Sequence, residues 1–202
     1  MARMHPSTPV LCLASLSPRR RQLLEQIGVP CTIAGADIDE SVRPGESPRE
    51  YVTRLAREKA LTVRRSGESL PVLAADTTVV LDGHIHGKPR DREEAIAMLT
   101  RLSGRAHEVL TAVALADRQG VAARLSASTV RFRELTQTEC ADYWETGEPR
   151  DKAGGYAIQG LGAVFIEDLS GSYSAVMGLP LFETAELLRA SGISYWTGRA
   201  PP

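Results

Sequence analysis

The chain has 202 residues, with 24 Lys and Arg against 25 Asp and Glu and a formal net charge of −1. That balance excludes a general nucleic-acid-binding surface, so basic residues matter only where they cluster. With 43% hydrophobic and 24% charged residues, the composition is that of a soluble globular protein, and the length suits one α/β domain or two small lobes with a real core. Cys12, Cys31 and Cys140 form no CxxC and read as small buried apolar residues of a reducing compartment. No apolar h-region opens the chain and no run of about 18 apolar residues occurs, so neither a signal peptide nor a membrane span is expected. Residues 10–194 read as one domain, with 1–9 and 195–202 as loose ends.

The first informative stretch is Leu11-Cys-Leu-Ala-Ser-Leu-Ser-Pro-Arg-Arg-Arg21. It reads as an apolar strand, a short polar turn and a helix start, with Ser17 as N-cap and Pro18 at the first helical position. The helix continues to about Ile27 and Gly28 stops it. Arg19, Arg20 and Arg21 stand at the helix end that already carries partial positive charge, where cations are disfavoured. A bound anion would resolve that conflict, since free N–H groups, serine hydroxyls and guanidinium forks would all face it.

A second strand is predicted over Thr32 to Ala36, followed by the acidic loop Asp37-Ile-Asp-Glu40. Ser47-Pro-Arg-Glu50 is a capping box, and the helix it opens carries Val52, Leu55, Ala56, Ala60 and Val63 at helical spacing. Lys59 falls on that apolar stripe, where lysine must pair or snorkel. Leu70 to Leu81 is a long apolar run broken by Asp76-Thr-Thr78, and Asp82-Gly83 signals a hairpin. The part before the break, Val72-Leu-Ala-Ala75, is apolar on both faces, so the Asp76 carboxylate at its end would be partly buried. The return strand His84-Ile-His86 ends in Gly87-Lys-Pro89. Two histidines without a third ligand are weak metal candidates, and an exposed hairpin is the simpler reading; His107 has no partner in sequence.

Asp91 caps a third helix with Ala95, Ile96, Leu99 and Leu102 inward, and Gly104 at its end. Glu108 to Ala116 and Val121 to Phe132 read as long antiparallel strands, and Thr136 caps a fourth helix to about Glu145. Tyr143 and Trp144 near its end read as packing or dimer contacts. Asp151 to Gly160 reads as a loop and a short strand ending in Gln159; Ala163 to Ile166 and Tyr173 to Val176 read as further strands. A last helix runs from Pro180 to Ala190 with Phe182, Ala185, Leu187 and Leu188 as core candidates. Strands alternating with helices and then a meander predict a mixed β-sheet flanked by helices.

Arg19 with Arg20, Lys59 and Lys88 are basic sites at element ends; Glu40 and Asp76 are acidic ones. A triphosphate carries roughly four negative charges, and a divalent cation offsets about two of them. Such a ligand would balance this set, in the proportion usual for phosphate chemistry. Neither GxxxxGK[ST] nor a GxGxxG after a strand is present, which excludes a P-loop enzyme and a dinucleotide fold.

The blocks Ala14-Ser-Leu-Ser-Pro-Arg-Arg20, Ala56-Arg-Glu-Lys-Ala60, Ala75-Asp-Thr77, Gly87-Lys-Pro89, Leu102-Ser-Gly104, Gly155-Tyr-Ala-Ile-Gln-Gly160 and Gly178-Leu-Pro180 together resemble the Maf family of nucleoside triphosphate pyrophosphatases. The resemblance spans Leu11 to about Ser191, and ASxSPRR is its most specific element. It implies a mixed sheet with two lobes around a cleft, similar to inosine triphosphate pyrophosphatases. It also implies hydrolysis of a nucleoside triphosphate to monophosphate and pyrophosphate with Mg²⁺ or a similar divalent ion such as Mn²⁺ or Co²⁺, and a cytoplasmic homodimer. Residue by residue, Asp76 matches the proton acceptor, and Glu40 with Asp76 the metal side. Ser15, Arg20, Lys59 and Lys88 match phosphate-side positions. Arg19, Thr77 and Gln159 match the positions of the branch acting on dTTP and UTP, where a Gln amide suits the O4/N3 edge of thymine or uracil. Two rival expectations remain: 7-methyl-GTP specificity, as in a sister branch, and a nucleotide-sensing regulator of cell division with little turnover.

Overall fold

The structure, a computed structural model, describes residues 8–196; the expectation of loose ends at 1–7 and 197–202 lies outside the described residues. Strand β1 (Leu11–Ala14) is buried throughout and leads into helix α1 (Pro18–Gln26), as the proline and the apolar run predict. Strand β2 (Cys31–Ala34) follows, then an irregular loop and helix α2 (Pro48–Arg65), opened by the expected Ser47/Glu50 capping box. Strands β3 (Val72–Leu81) and β4 (His84–His86) form a hairpin, and α3 (Arg92–Leu102) follows. Strands β5 (Ala106–Asp117) and β6 (Gly120–Phe132) are the long antiparallel pair, and α4 (Gln137–Glu145) carries the second capping box. Strand β7 (Ile166–Ser170), α5 (Tyr173–Met177) and α6 (Leu181–Ala190) complete the chain.

The sheet has seven strands in the order β2-β1-β3-β5-β6-β7, with β4 pairing β3. The β1 neighbours are parallel, and β5, β6 and β7 join antiparallel, so the sheet is mixed, as the element order predicts. Three apolar clusters cover it. One joins α2 to Cys12, Ala14, Val72, Ala74 and the alanines of β5. A second, on the opposite face, joins Leu23 and Leu24 of α1 and Leu187 and Leu188 of α6 to Leu11, Leu13, Leu73 and Ala75. The third packs Leu99 and Leu102 of α3 and Tyr143 of α4 against Val79, Leu81, Phe132, Tyr156 and Phe165. The second and third clusters therefore use the same face of β3 at its two ends. Side chains alternate across a strand, so the sequence period alone sends 73, 75, 79 and 81 one way and 72, 74 and 80 the other.

Five local expectations are corrected. Residues Asp76 to Thr78 do not interrupt β3, which runs unbroken through them; threonines are good strand residues, and β5 pairs across the whole stretch. No strand ends in Gln159: two 3-10 turns, Glu148–Asp151 and Ala153–Gly155, lead into an irregular stretch and a turn at 158–159. Gly154 and Gly155 both adopt positive φ, near 70°, which curls the chain as only glycine does without strain. Leu161–Phe165 is likewise a 3-10 turn, so the strand expected at Ala163 begins only at Ile166. Tyr173 to Met177 is a helix rather than a strand: the Ser172 hydroxyl accepts from Ala175 N–H, and Gly178 stops it in the left-handed region. Short apolar runs do not distinguish the two periods. Phe182, expected in the core, is 73% exposed, while Leu187 and Leu188 are buried as expected. Near the end of the described chain, Tyr195 packs on the α1–α6 cluster and Trp196 N–H bonds to the Ile27 carbonyl at 2.6 Å.

Gly154 is the tightest backbone approach near the β3–β4 hairpin. A Cβ there would lie 2.8 Å from Val79 Cγ2, and its N–H bonds to the Gly87 carbonyl at 3.0 Å. Gly154→Ala is expected to lower stability by about 2–3 kcal/mol, the left-handed penalty plus the clash. Gly45→Ala, at φ +75 with nothing within 4 Å, should cost only about 1 kcal/mol. Chemical denaturation of both variants checks the difference.

Candidate active site

The middle of β3 organises the site. By alternation Asp76 and Thr78 share the face of Val72 and Ala74, which α2 covers, while Thr77 shares the face of Leu73 and Ala75, which α1 covers. β1 pairs with β3 at Val72 and Leu73 only, and β4 pairs with β3 only from Val79 to Leu81. Between these points that edge of β3 has no strand neighbour among the described residues. The opening lies at the carboxyl end of β1, the position where open α/β sheets bind ligands.

On the α2 side, Lys59 Nζ stands 2.7 Å from Asp76 Oδ1 and 2.6 Å from Glu40 Oε1. The lysine that looked misplaced on an apolar stripe thus neither sits unpaired nor snorkels to water; it joins two carboxylates, with its own side chain 12% exposed. Asp76 is 7% exposed. Burial raises its pKa above the ordinary carboxylate range, and Lys59 and Arg20 oppose that shift. Burial also pushes Glu40 upward, but the hydrogen bond and charge of Lys59, helped by Lys88 and Arg20, bring its pKa below normal. Glu40 comes from the loop between β2 and α2, which Tyr51 and Arg54 hold: Tyr51 OH donates to the Glu40 carbonyl at 3.0 Å, and Arg54 bonds to Glu46 and the Ser41 carbonyl.

On the α1 side, Arg20 donates from Nε to the Gly178 carbonyl at 2.8 Å and from Nη1 to Ser15 Oγ at 3.2 Å; its Nη2 reaches Thr77 Oγ1 at 3.4 Å. The Thr77 and Thr111 hydroxyl oxygens are 3.1 Å apart across the β3–β5 register, and Thr111 donates to the Ala175 carbonyl at 2.7 Å. The expected side-chain cap at Ser17 is not formed; instead Ser17 N–H donates to Ser15 Oγ at 3.2 Å. Arg21 turns away to Glu25. Arg19 and Arg20 make no ion pair among the described residues, and burial lowers both guanidinium pKa values, partly offset by Asp151 and Glu148 at Arg19 and by Asp76 and Glu40 at Arg20. Partly desolvated guanidinium groups without a contacting carboxylate, at a helix N-terminus, form an anion seat.

All the predicted site residues, Ser15, Arg19, Arg20, Glu40, Lys59, Asp76, Thr77, Lys88 and Gln159, line one cleft of about 970 Å³. Lys88 and Gln159 are exposed on its rim. Sequence reasoning missed Asp37, Tyr51, Lys152 and Tyr156, which also line it. Asp37 and Lys152 sit in predicted loops, where no periodicity marks a side chain as facing a cleft. Thr111, which fixes Thr77, lies mid-strand with no local signal at all. His107, which had no partner in sequence, meets Tyr156 OH through Nε2 at 2.8 Å, and burial lowers its pKa to about 4. His84 is exposed as expected, whereas His86 is buried; among the described residues no group of three or more His, Cys, Asp or Glu could hold a metal ion by itself. Among the described residues, no helix is long and apolar enough to cross a membrane.

Comparison with known proteins converges on the same region of the chain. The fold is similar to that of the Staphylococcus aureus Ham1 protein, with a TM-score of 0.50 at 13% identity over 90% of this chain and 96% of that one. A relative from Saccharophagus degradans, described as a dTTP/UTP pyrophosphatase, is 52% identical over 195 residues, 95% of this chain and 93% of its own. One from Methylobacillus flagellatus with the same description is 56% identical over 184 residues, covering 90% and 92%. A family model described as Maf-like protein matches residues 10–191, which contain every residue of the cleft named above: this chain belongs to the Maf family.

Proposed function

We propose that the protein hydrolyses dTTP and UTP to the nucleoside monophosphate and pyrophosphate. The observation that carries the reading is the single cleft in which Arg19, Arg20, Lys59 and Lys88 face Glu40 and Asp76. The descriptions of the 52–56% identical relatives support it. A cytoplasmic homodimer enters the proposal from the family resemblance.

The phosphates lie on the basic side. Arg19, Arg20 and the α1 N-terminus hold one end, and Lys88 closes the other rim; together they orient the chain of phosphates by charge-assisted hydrogen bonds. A water attacks the α-phosphorus, its P–O bond forms, and the bond to the bridging oxygen breaks to release pyrophosphate. Asp76 spends Oδ1 on Lys59 and keeps Oδ2 for the proton of that water. Its raised pKa makes it a better base than an exposed aspartate, and Lys59 opposes the rise that burial imposes. Glu40 and Asp76 offer two carboxylates, which fits Mg²⁺ held jointly with substrate phosphate oxygens and water rather than in a protein cage. When bound, such an ion supplies charge neutralisation on the phosphates. Gln159 presents a donor and an acceptor to the O4/N3 edge of thymine or uracil, and Thr77, beside Arg20, adds a contact to base or sugar.

Pyrophosphate release measured across dTTP, UTP, dCTP, GTP and 7-methyl-GTP is expected to favour dTTP and UTP; preference for 7-methyl-GTP, or binding without turnover, would overturn the reading. Asp76→Asn should fold and lose activity by about 10³-fold. Chelation should stop pyrophosphate release and added Mg²⁺ restore it. Activity requires ionised Asp76, so it falls as pH drops through the Asp76 pKa. Lys59→Met removes a charge that holds this pKa down, so the acid limb of the kcat/KM profile should move to higher pH.

A further inference from the structure

The turn that carries Gln159 is held by a carboxylate for which the proposed chemistry has no use. Glu148 Oε1 accepts from Tyr143 OH at 2.6 Å and from Gly162 N–H at 2.9 Å, and Oε2 accepts from Leu161 N–H at 3.0 Å. The Tyr143 hydroxyl in turn accepts from Ala157 N–H at 3.2 Å. Both ends of segment 157–162 are therefore tied to one carboxylate–phenol pair. Gly160 N–H closes the span onto the Ala157 carbonyl at 3.3 Å, with Gln159 inside the turn. A Cβ at Gly160 would stand 2.0 Å from Glu148 Oε2, although its φ of −113 suits any residue. Gly160 is thus a glycine for space rather than for backbone freedom. Gly162 is similar, its Cβ position lying 2.6 Å from Tyr143 OH.

Glu148 is ionised at neutral pH: burial pushes its pKa up, but the Tyr143 hydroxyl and the amides of Gly162 and Leu161 outweigh that and bring it below normal. Gln159, by contrast, is exposed and its side chain makes no hydrogen bond among the described residues. Its aim comes from the backbone that carries it. That aim decides specificity, because a carboxamide matches thymine or uracil in one orientation and cytosine when turned over. A side chain that reads both bases discriminates between them only if the groups around it are fixed.

We propose that Glu148, acting through Tyr143 and the amides of Leu161 and Gly162, is a positioning residue for base recognition and sets the preference of the cleft for thymine and uracil over cytosine. The inference rests on the reading of Gln159 as the residue that meets the base. Steady-state kinetics with dTTP, UTP, dCTP and GTP on the wild type, Glu148→Gln and Gly160→Ala test it. Glu148→Gln leaves an amide where two backbone donors need acceptors, and Gly160→Ala drives a methyl group into the carboxylate. In both, KM for dTTP and UTP should rise about tenfold while kcat changes by less than about threefold, and the dTTP-over-dCTP ratio of kcat/KM should fall by about tenfold or more. A purely structural role would instead lower kcat on every nucleotide alike and leave the ratio in place; that result, or no change, overturns the inference. Should Glu148→Gln fail to fold, Gly160→Ala carries the same decision. A further cycle adds a check: Gly160→Ala should change nothing more in a Glu148→Ala background, where the clash is gone. A wild-type protein without any preference for dTTP and UTP would strike at the pyrimidine reading and take this inference with it. A preference that survives both substitutions removes the inference alone.

Discussion

An ammonium group held between two carboxylates sets the geometry on which the cleft depends. Asp76 is 7% exposed in the middle of a β-strand, and an unpaired carboxylate there would carry a large desolvation penalty. Glu40 brings a second negative charge to the same place. Lys59 bonds to both at 2.6–2.7 Å, so the acidic loop, α2 and β3 are tied at one point. Lys59 and Arg20 oppose the upward pKa shift that burial imposes on Asp76.

Strand alternation then divides the labour. One residue further along β3, Thr77 points to the opposite face and meets Arg20 and Thr111. The carboxylate side and the guanidinium side are thus adjacent in sequence yet approached from α2 and α1 respectively. A slip of one residue in β3 would exchange the two faces and leave Asp76 against leucines. The long pairing of β3 with β5, from Val72–Ala116 to Val80–Glu108, holds the register that prevents this.

The two ends of the cleft are built differently. The end at Arg19 and Arg20 stands on a strand and two helices, with Arg20 tied to Gly178 at the end of a third helix. The end at Gln159 is a turn without regular structure, tied by Glu148 and Tyr143 and packed closely at its glycines. Coulombic forces are long-ranged and weakly directional and tolerate a simple framework, whereas hydrogen-bond recognition is short-ranged and needs its framework fixed.

Much was legible in the sequence because it follows from local rules. Capping boxes at Ser47 and Thr136, the proline after Ser17 and the period of Val52, Leu55, Ala56, Ala60 and Val63 specify helices wherever they occur. Lys59, Asp76 and Arg20 were visible as violations of those rules, and a violation marks a residue whose partner lies elsewhere in the chain. The sequence by itself determined which residues were out of place and the mixed α/β class. Only the tertiary structure decided that Lys59 joins Glu40 to Asp76, that Thr111 backs Thr77, that Tyr173 to Met177 is a helix, and that Glu148 holds the Gln159 turn. Each of these depends on contacts between residues far apart in the chain or on the conformation of adjacent glycines, and neither periodicity nor propensity carries that information.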